Sequence, residues 1–367
     1  MSRGTIALLV GAMALLVAWT QTARGEATVG VDCNYALDMA TRGRTWQDAS
    51  GAAVEPLAFL AQNGCKLARI RVWVGDEGMN RLDYAIQTAQ RAQAAGMTPL
   101  VAIFLSEDWA DMVKQPAPRA WQDLPEEHKL EQVQAYCRRV AQRFADAGVV
   151  VDTFAIGNEI DFGICGVFED EWPKRVSLEY MSQRIWPRMT PILRAAQAGV
   201  LAVRPQAKFV LHLAQWNQRP YCLAMWRAML DAGVRVDVPG LSYFPSSARD
   251  EAQRTMAYLH EQARAIHAEL GKPVLVCETG YPCAASFGGQ FADWNHAAPG
   301  YALDEAGQAR WVTDLVTLVR GHGDPFAGVI FWSPEWYGGG LWDAFAWFDA
   351  RGQARPAASA LTPLHSR

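Results

Sequence analysis

The chain has 367 residues, of which 50% are hydrophobic and 20% charged, with a formal net charge of −4. No basic run is longer than a pair such as Arg138-Arg139, which excludes the clustered positive surface that a nucleic-acid backbone requires. The length suits one large domain, because barrels of roughly 200 to 400 residues remain single domains.

The first element is not part of that domain. Arg3 precedes an apolar run over residues 6–19, and the polar stretch 21–24 follows it. A membrane-spanning helix needs about 20 apolar residues, so residues 1–25 are expected to be a signal peptide. Ala23 and Gly25 supply small residues before a cut at Glu26. The competing reading is an uncleaved anchor. A secreted or periplasmic product follows, with no stable membrane insertion after signal removal.

From residue 28 short apolar runs alternate with longer amphipathic ones. The strands are expected at 28–33, 67–73, 99–105, 149–156, 208–213, 238–243, 273–277 and 328–332. Several are almost continuously apolar, as parallel strands become when both faces are covered. Helices are expected at 53–62, 82–95, 128–147, 178–198, 223–231, 251–270 and 308–320. Gly96, Gly148, Gly199 and Gly271 directly follow four of these segments and predict their stops, since glycine enters the left-handed region cheaply. The eighth helix is poorly marked and is expected beyond Phe348. Eight such units without a linker predict a (β/α)₈ barrel over residues 26–351, with 352–367 as a loose tail. An open dinucleotide-binding sheet is disfavoured by the absence of a glycine-rich turn after the first strand.

Seven cysteines lie beyond the leader, an odd number, and none forms a Cys-x-x-Cys. Export permits disulfides. Cys165 and Cys283 fall in loops on the same predicted face and form the candidate bridge, whereas Cys33 and Cys277 sit in strand contexts and read as packing residues.

Barrel chemistry belongs at the carboxyl ends of the strands. That rule selects Asp32 and Asn34 after strand 1, Arg69 and Arg71 in strand 2, Asn158-Glu159 after strand 4, His212 and Gln215 near the end of strand 5, Ser242-Tyr243 in strand 6, Glu278 after strand 7, and Trp332 with Glu335-Trp336 after strand 8. A lone strand-end glutamate is as often an arginine's structural partner as a catalyst. Two of them beside Asn158, Tyr243 and Trp332 point to glycosidic-bond cleavage, which needs one protonated carboxyl and one carboxylate. Carboxyls held close drive their pKa values apart, which keeps one protonated.

The same residues carry a resemblance to the endo-β-1,4-galactanases of glycoside hydrolase family 53. The similar stretches, in order, are Gly30-Val31-Asp32, Leu67-Ala68-Arg69-Ile70-Arg71-Val72-Trp73, Trp109-Ala110-Asp111 with Gln115 and Trp121, Gly157-Asn158-Glu159-Ile160, Gly240-Leu241-Ser242-Tyr243-Phe244-Pro245, Glu278-Thr279-Gly280-Tyr281-Pro282 and Trp332-Ser333-Pro334-Glu335-Trp336. The resemblance implies an enzyme that cuts β-1,4-linked galactan or arabinogalactan with retention. In it Glu159 would be the general acid/base and Glu278 the nucleophile. Asn158 would bond the 2-hydroxyl of the sugar, Arg71 and Tyr243 would support Glu278, and Trp332 would form the subsite floor. Asp32, Trp109 and Trp336 complete the expected substrate-binding set, and Trp121 and Trp216 extend an indole stripe.

The sequence departs from the family pattern after strand 3, where Ala102-Ile103-Phe104-Leu105 replaces a polar run, and in the loop Asp161-Phe162-Gly163-Ile164-Cys165. Some family members hold calcium after strand 7, but residues 282–300 lack closely spaced aspartates, so neither metal nor cofactor is expected. The expected partner is a β-linked polysaccharide or oligosaccharide. The alternatives are a related hydrolase acting on another β-linked glycan and a carbohydrate-binding barrel without catalysis.

Overall fold

The protein is described as a computed structural model covering residues 27–321 and 325–361. The segment read as a signal peptide lies outside the described residues. Among them, no helix is long and apolar enough to cross a membrane.

Eight parallel strands close into a barrel: β1 (Thr28–Asp32), β2 (Leu67–Val72), β3 (Thr98–Ile103), β4 (Thr153–Ile156), β5 (Lys208–Leu213), β6 (Val238–Tyr243), β7 (Val274–Thr279) and β8 (Phe326–Trp332). Each pairs with its sequence neighbours, and β8 returns to β1 with Asp32 opposite Trp332. The outer ring comprises α1 (Pro56–Gln62), α2 (Leu82–Ala94), α3 (Glu126–Asp146), α4 (Trp186–Leu201), α5 (Arg219–Asp231), α6 (Met256–Leu270) and α7 (Glu305–Arg320). The (β/α)₈ expectation is met.

Local chemistry explains where the element boundaries moved. α1 begins at Pro56 because the Glu55 carboxylate accepts the Ala58 N–H at 2.7 Å and proline needs no donor there. The two residues before Glu55 belong elsewhere: Ala53–Val54 pairs with Trp46–Gln47 in a small antiparallel ribbon. β4 is shorter than expected, since buried Val149 and Val151 lie in its approach. Gly96, Gly148 and Gly271 adopt positive φ after their helices. Gly199 does not. It lies inside α4, where a Cβ would stand 2.2 Å from the Gln134 carbonyl of α3. Its work is close helix–helix approach, so the helix continues to Leu201. The eighth helical position holds a 3₁₀ turn, Pro356–Ser359, with Ala357, Ala358 and Leu361 buried.

Two apolar layers result from the period-2 pattern of the strands. Outward residues such as Ile70, Val101, Phe154, Leu211 and Leu241 pack under the helices. Inward residues Leu100, Ala102, Ala155, Val210, Leu275, Cys277 and Ile330 fill the barrel. Above that apolar plug the inward positions turn polar: Asp32, Arg69, Arg71, His212 and Ser242, all buried.

All seven cysteines are unbridged. The expected Cys165–Cys283 bridge is therefore absent. Cys165 is tucked inward, within electrostatic reach of Cys137 on α3, while Cys283 is held by its backbone N–H to the Ala344 carbonyl.

Candidate active site

The polar layer at the strand ends is one continuous network. Arg69 is its hub. Its Nη1 donates to Asp32 Oδ2 at 2.6 Å and to Glu278 Oε1 at 2.8 Å, and its Nη2 donates to Asn158 Oδ1 at 2.6 Å. A buried guanidinium is costly unless carboxylates compensate it, and here two do. Asn158 also donates from Nδ2 to the Ala110 carbonyl at 2.9 Å, and Gln115 holds the Asn158 carbonyl at 2.8 Å. His212 Nδ1 stands 3.1 Å from Asn158 Oδ1 and its Nε2 2.9 Å from Ser242 Oγ. Ser242 Oγ in turn meets Glu159 Oε1 at 2.5 Å.

Backbone irregularity aims the two glutamates. Gly157 has φ 78°, where a Cβ would lie 2.3 Å from the Ile160 side chain. Glu159 itself is left-handed, at φ 47° and ψ 57°. A non-glycine residue there costs about 1–2 kcal/mol, held by the Asn158 and Ser242 contacts. β7 shifts register against β8 between Val276 and Thr279. With Cys277 still inside the barrel, that irregularity lets the adjacent Glu278 also face the mouth.

Both glutamates line one cleft of about 630 Å³. Burial pushes the Glu278 carboxyl up to about 7 against the opposing pull of Arg69. Glu159 is driven well above the usual carboxylate range, by burial first and then by the charge of Glu278. The arginine-paired group therefore ionises first, leaving Glu159 protonated. Two further buried carboxyls are raised by burial, Asp161 to about 6 and Glu335 to about 7. Asp161 accepts the Ala214 and Gln215 N–H groups at 2.7 and 2.9 Å, tying the loop after β4 to the one carrying Trp216. Glu335 accepts the Tyr35 N–H at 2.9 Å, fixing an aromatic wall residue.

The expected support for Glu278 differs from the observed one. Arg71 does not bond Glu278. It stands 3.3 Å from Asp32 and lies over Tyr35, with ring contacts to Trp109 and Trp332. Tyr243 points outward, packed on Trp216 and Trp311, with its hydroxyl on the Thr255 carbonyl. Strand parity is the reason: Ser242 faces in, so Tyr243 cannot. Asp32 is wholly buried and serves the arginines and Asn34 rather than the cleft surface.

Trp332, Trp109 and Trp216 line the cleft. Trp336 packs on Tyr35 instead, and Trp121 on Tyr136. Phe104, from the apolar run after strand 3, is buried against Trp73 and Trp109 and shapes the cleft through them. The opposite wall consists of Phe244, Phe291, Trp294 and Trp342, with Trp342 edge-on to Trp332 at 4.5 Å. Sequence reasoning places none of these four in the site; Phe244 falls within a family-like stretch, and the other three lie in loops without a positional signal. Among the described residues, no cluster of three or more His, Cys, Asp or Glu would hold a metal ion.

Known proteins resemble this architecture over nearly its whole length. The chain matches the profile of glycosyl hydrolase family 53 over residues 28–361. It is 30% identical to a probable arabinogalactan endo-beta-1,4-galactanase A of Aspergillus terreus, over 84% of this chain and 85% of that protein. It is 27% identical to an arabinogalactan endo-beta-1,4-galactanase of Cellvibrio japonicus, over 95% of each. Among solved structures, the GH53 catalytic domain of Ignisphaera aggregans superposes with a TM-score of 0.77 at 25% identity, covering 92% of this chain and 95% of that one.

Proposed function

Since the chain belongs to glycosyl hydrolase family 53 and is a glycoside hydrolase, we propose that it cuts β-1,4-linked galactan or arabinogalactan internally, by a retaining double displacement. The observation that carries the mechanism is the asymmetry of the two cleft carboxyls. Glu278 lies on a guanidinium and Glu159 on a hydroxyl. In the first step the Glu278 carboxylate attacks the anomeric carbon and the glycosidic C–O bond breaks. Glu159 gives its proton to the departing oxygen. In the second step water attacks the same carbon, Glu159 takes the water's proton, and the ester bond to Glu278 breaks, restoring its carboxylate. Arg69 holds Glu278 charged between turnovers. In this reading Asn158 gives the sugar's 2-hydroxyl the Nδ2 hydrogen that the Ala110 carbonyl does not take, and the Trp332 indole floors that subsite.

A second reading, another β-linked glycan, is favoured by one feature. The side of the cleft that follows β2 and β3 is rich in apolar groups, Trp73, Trp109, Met112 and Val113, with Asp111 and Lys114 as its polar members. A panel of purified polysaccharides with product sizing separates the two. Short oligosaccharides from β-1,4-galactan support the galactanase reading; inertness on galactan beside cleavage of another polymer replaces it. We place the enzyme outside the cytoplasm on its amino-terminal pattern, and amino-terminal sequencing of mature protein should begin near Glu26.

A further inference from the structure

The hydrogen-bond chain that ends on Glu159 has a single arrangement of protons that satisfies every contact when His212 is neutral. It starts from Asn158, whose amide cannot be reversed. Its Oδ1 receives Arg69 Nη2 and its Nδ2 donates to the Ala110 carbonyl; a guanidinium has nothing to accept with and a carbonyl nothing to donate. His212 Nδ1 faces that same Oδ1 at 3.1 Å, so Nδ1 must carry a hydrogen. A neutral imidazole then has a bare Nε2. The Ser242 hydroxyl, 2.9 Å away, donates its one hydrogen there. Ser242 Oγ has only lone pairs left for Glu159 Oε1, and that 2.5 Å contact requires the glutamic acid to be the donor.

We propose that His212 and Ser242 are positioning residues that hold the proton on Glu159, by presenting it with an acceptor in place of a donor. This rests on the acid/base role given to Glu159 above. The competing arrangement moves the proton, making His212 an imidazolium and Glu159 a carboxylate that accepts from Ser242. It requires a cation on a wholly buried ring beside the permanent charge of Arg69, and burial and Arg69 both push the imidazole well below its ordinary range. Of the charged groups around the cleft, which include Lys114, those acting most strongly on Glu159 are Glu278, Asp111 and Asp161. All three are acidic, and all oppose a carboxylate there.

The two arrangements predict opposite signs for one substitution. A hydroxyl that accepts from the carboxylic acid stabilises the neutral form, so removing it lowers the Glu159 pKa. A hydroxyl that donates to a carboxylate does the reverse. In Ser242→Ala the alkaline limb of the kcat/KM profile should move to lower pH, by about one unit. No movement, or movement to higher pH, overturns the proposal. Nitrogen NMR of wild-type protein labelled at histidine provides a readout independent of activity and of the variant's folding, with the His212 signal identified by its loss in His212→Gln. The expected pattern is a protonated Nδ1 and a bare Nε2 throughout the active pH range. A protonated Nε2, alone or with Nδ1, overturns the relay. Failure of the underlying role is distinguishable: if Glu159→Ala forms no azide adduct with an activated substrate, Glu159 is not the acid/base whatever the tautomer of His212.

Discussion

The cleft floor has two halves that differ in how they handle a buried carboxyl. On the β7–β1–β2 side, Glu278 and Asp32 share the Arg69 guanidinium, with Arg71 beside Asp32. On the β4–β5–β6 side, Glu159 faces Ser242, backed by His212 and Asn158. Burial raises both carboxyls, and their neighbours decide which of them ionises first. An ion-paired half maintains a charge, and a half made of neutral hydrogen-bonding groups maintains a proton. Asn158 joins them, because its oxygen bonds the cation of one half and the imidazole of the other.

The largest expected effects come from removing each carboxyl. Glu278→Ala should lose more than about 10⁴-fold in kcat, and no azide adduct of retained configuration should form. Glu159→Ala should lose roughly 10²- to 10⁴-fold on polymer, much less on a substrate with a very good leaving group, and azide should then yield a β-glycosyl azide. Equal losses on both substrates and no azide product would dissolve the distinction between the halves.

Breaking the ion-paired half is the next test. Arg69→Met leaves two buried carboxylates without their shared cation, which should destabilise by about 3–5 kcal/mol in chemical denaturation. It should also move the acid limb of the pH profile upward, since the guanidinium no longer holds Glu278 charged. Arg71→Met should move that limb less, because Arg71 meets Asp32 and not Glu278. A larger shift from Arg71 would transfer the supporting role back to it.

The proton-holding half should also show itself in the pH dependence of stability. Glu159's folded pKa lies above its unfolded value, so the stability it contributes is fully present below the unfolded pKa and is lost as pH rises through the folded one. That loss accrues at about 1.4 kcal/mol for each pH unit between the two values. Comparing wild type with Glu159→Gln over pH 5 to 9 isolates it: wild type should lose stability relative to the amide as pH rises. Parallel curves would mean that Glu159 ionises normally.

The smallest effect is expected at Tyr243. Tyr243→Phe removes one hydrogen bond to the Thr255 carbonyl, worth about 0.5–1.5 kcal/mol, and should leave both limbs of the pH profile in place. A moved acid limb would restore Tyr243 as a partner of Glu278.

The halves were unequally legible in the sequence. The eight strands appear as apolar runs, and their alternation is enough to turn Arg69, Arg71, His212 and Ser242 inward. The family-like stretch points Tyr243 toward Glu278, whereas strand parity turns it outward onto Trp216 and the Thr255 carbonyl. Arg69 and Arg71 share a parity, so the pattern cannot rank them; they differ in depth by two residues, about 6.6 Å, and only the register of β2 against β7 across the barrel decides which meets Glu278. Glu278 itself follows inward-facing Cys277, and its own inward aim depends on a strand irregularity with no sequence mark. The wall of Phe244, Phe291, Trp294 and Trp342 comes from loops whose paths no periodicity encodes. Gly199 read as a helix stop because a close-packing glycine and a capping one are the same letter.

In the proposed mechanism Glu278 attacks the sugar while Glu159 carries the proton. Proton NMR of the first sugar released by wild-type enzyme, recorded before mutarotation, tests it most directly. A β-linked substrate should yield the β-anomer first. Initial release of the α-anomer would mean that water attacks in place of Glu278, and would contradict the assignment of both glutamates.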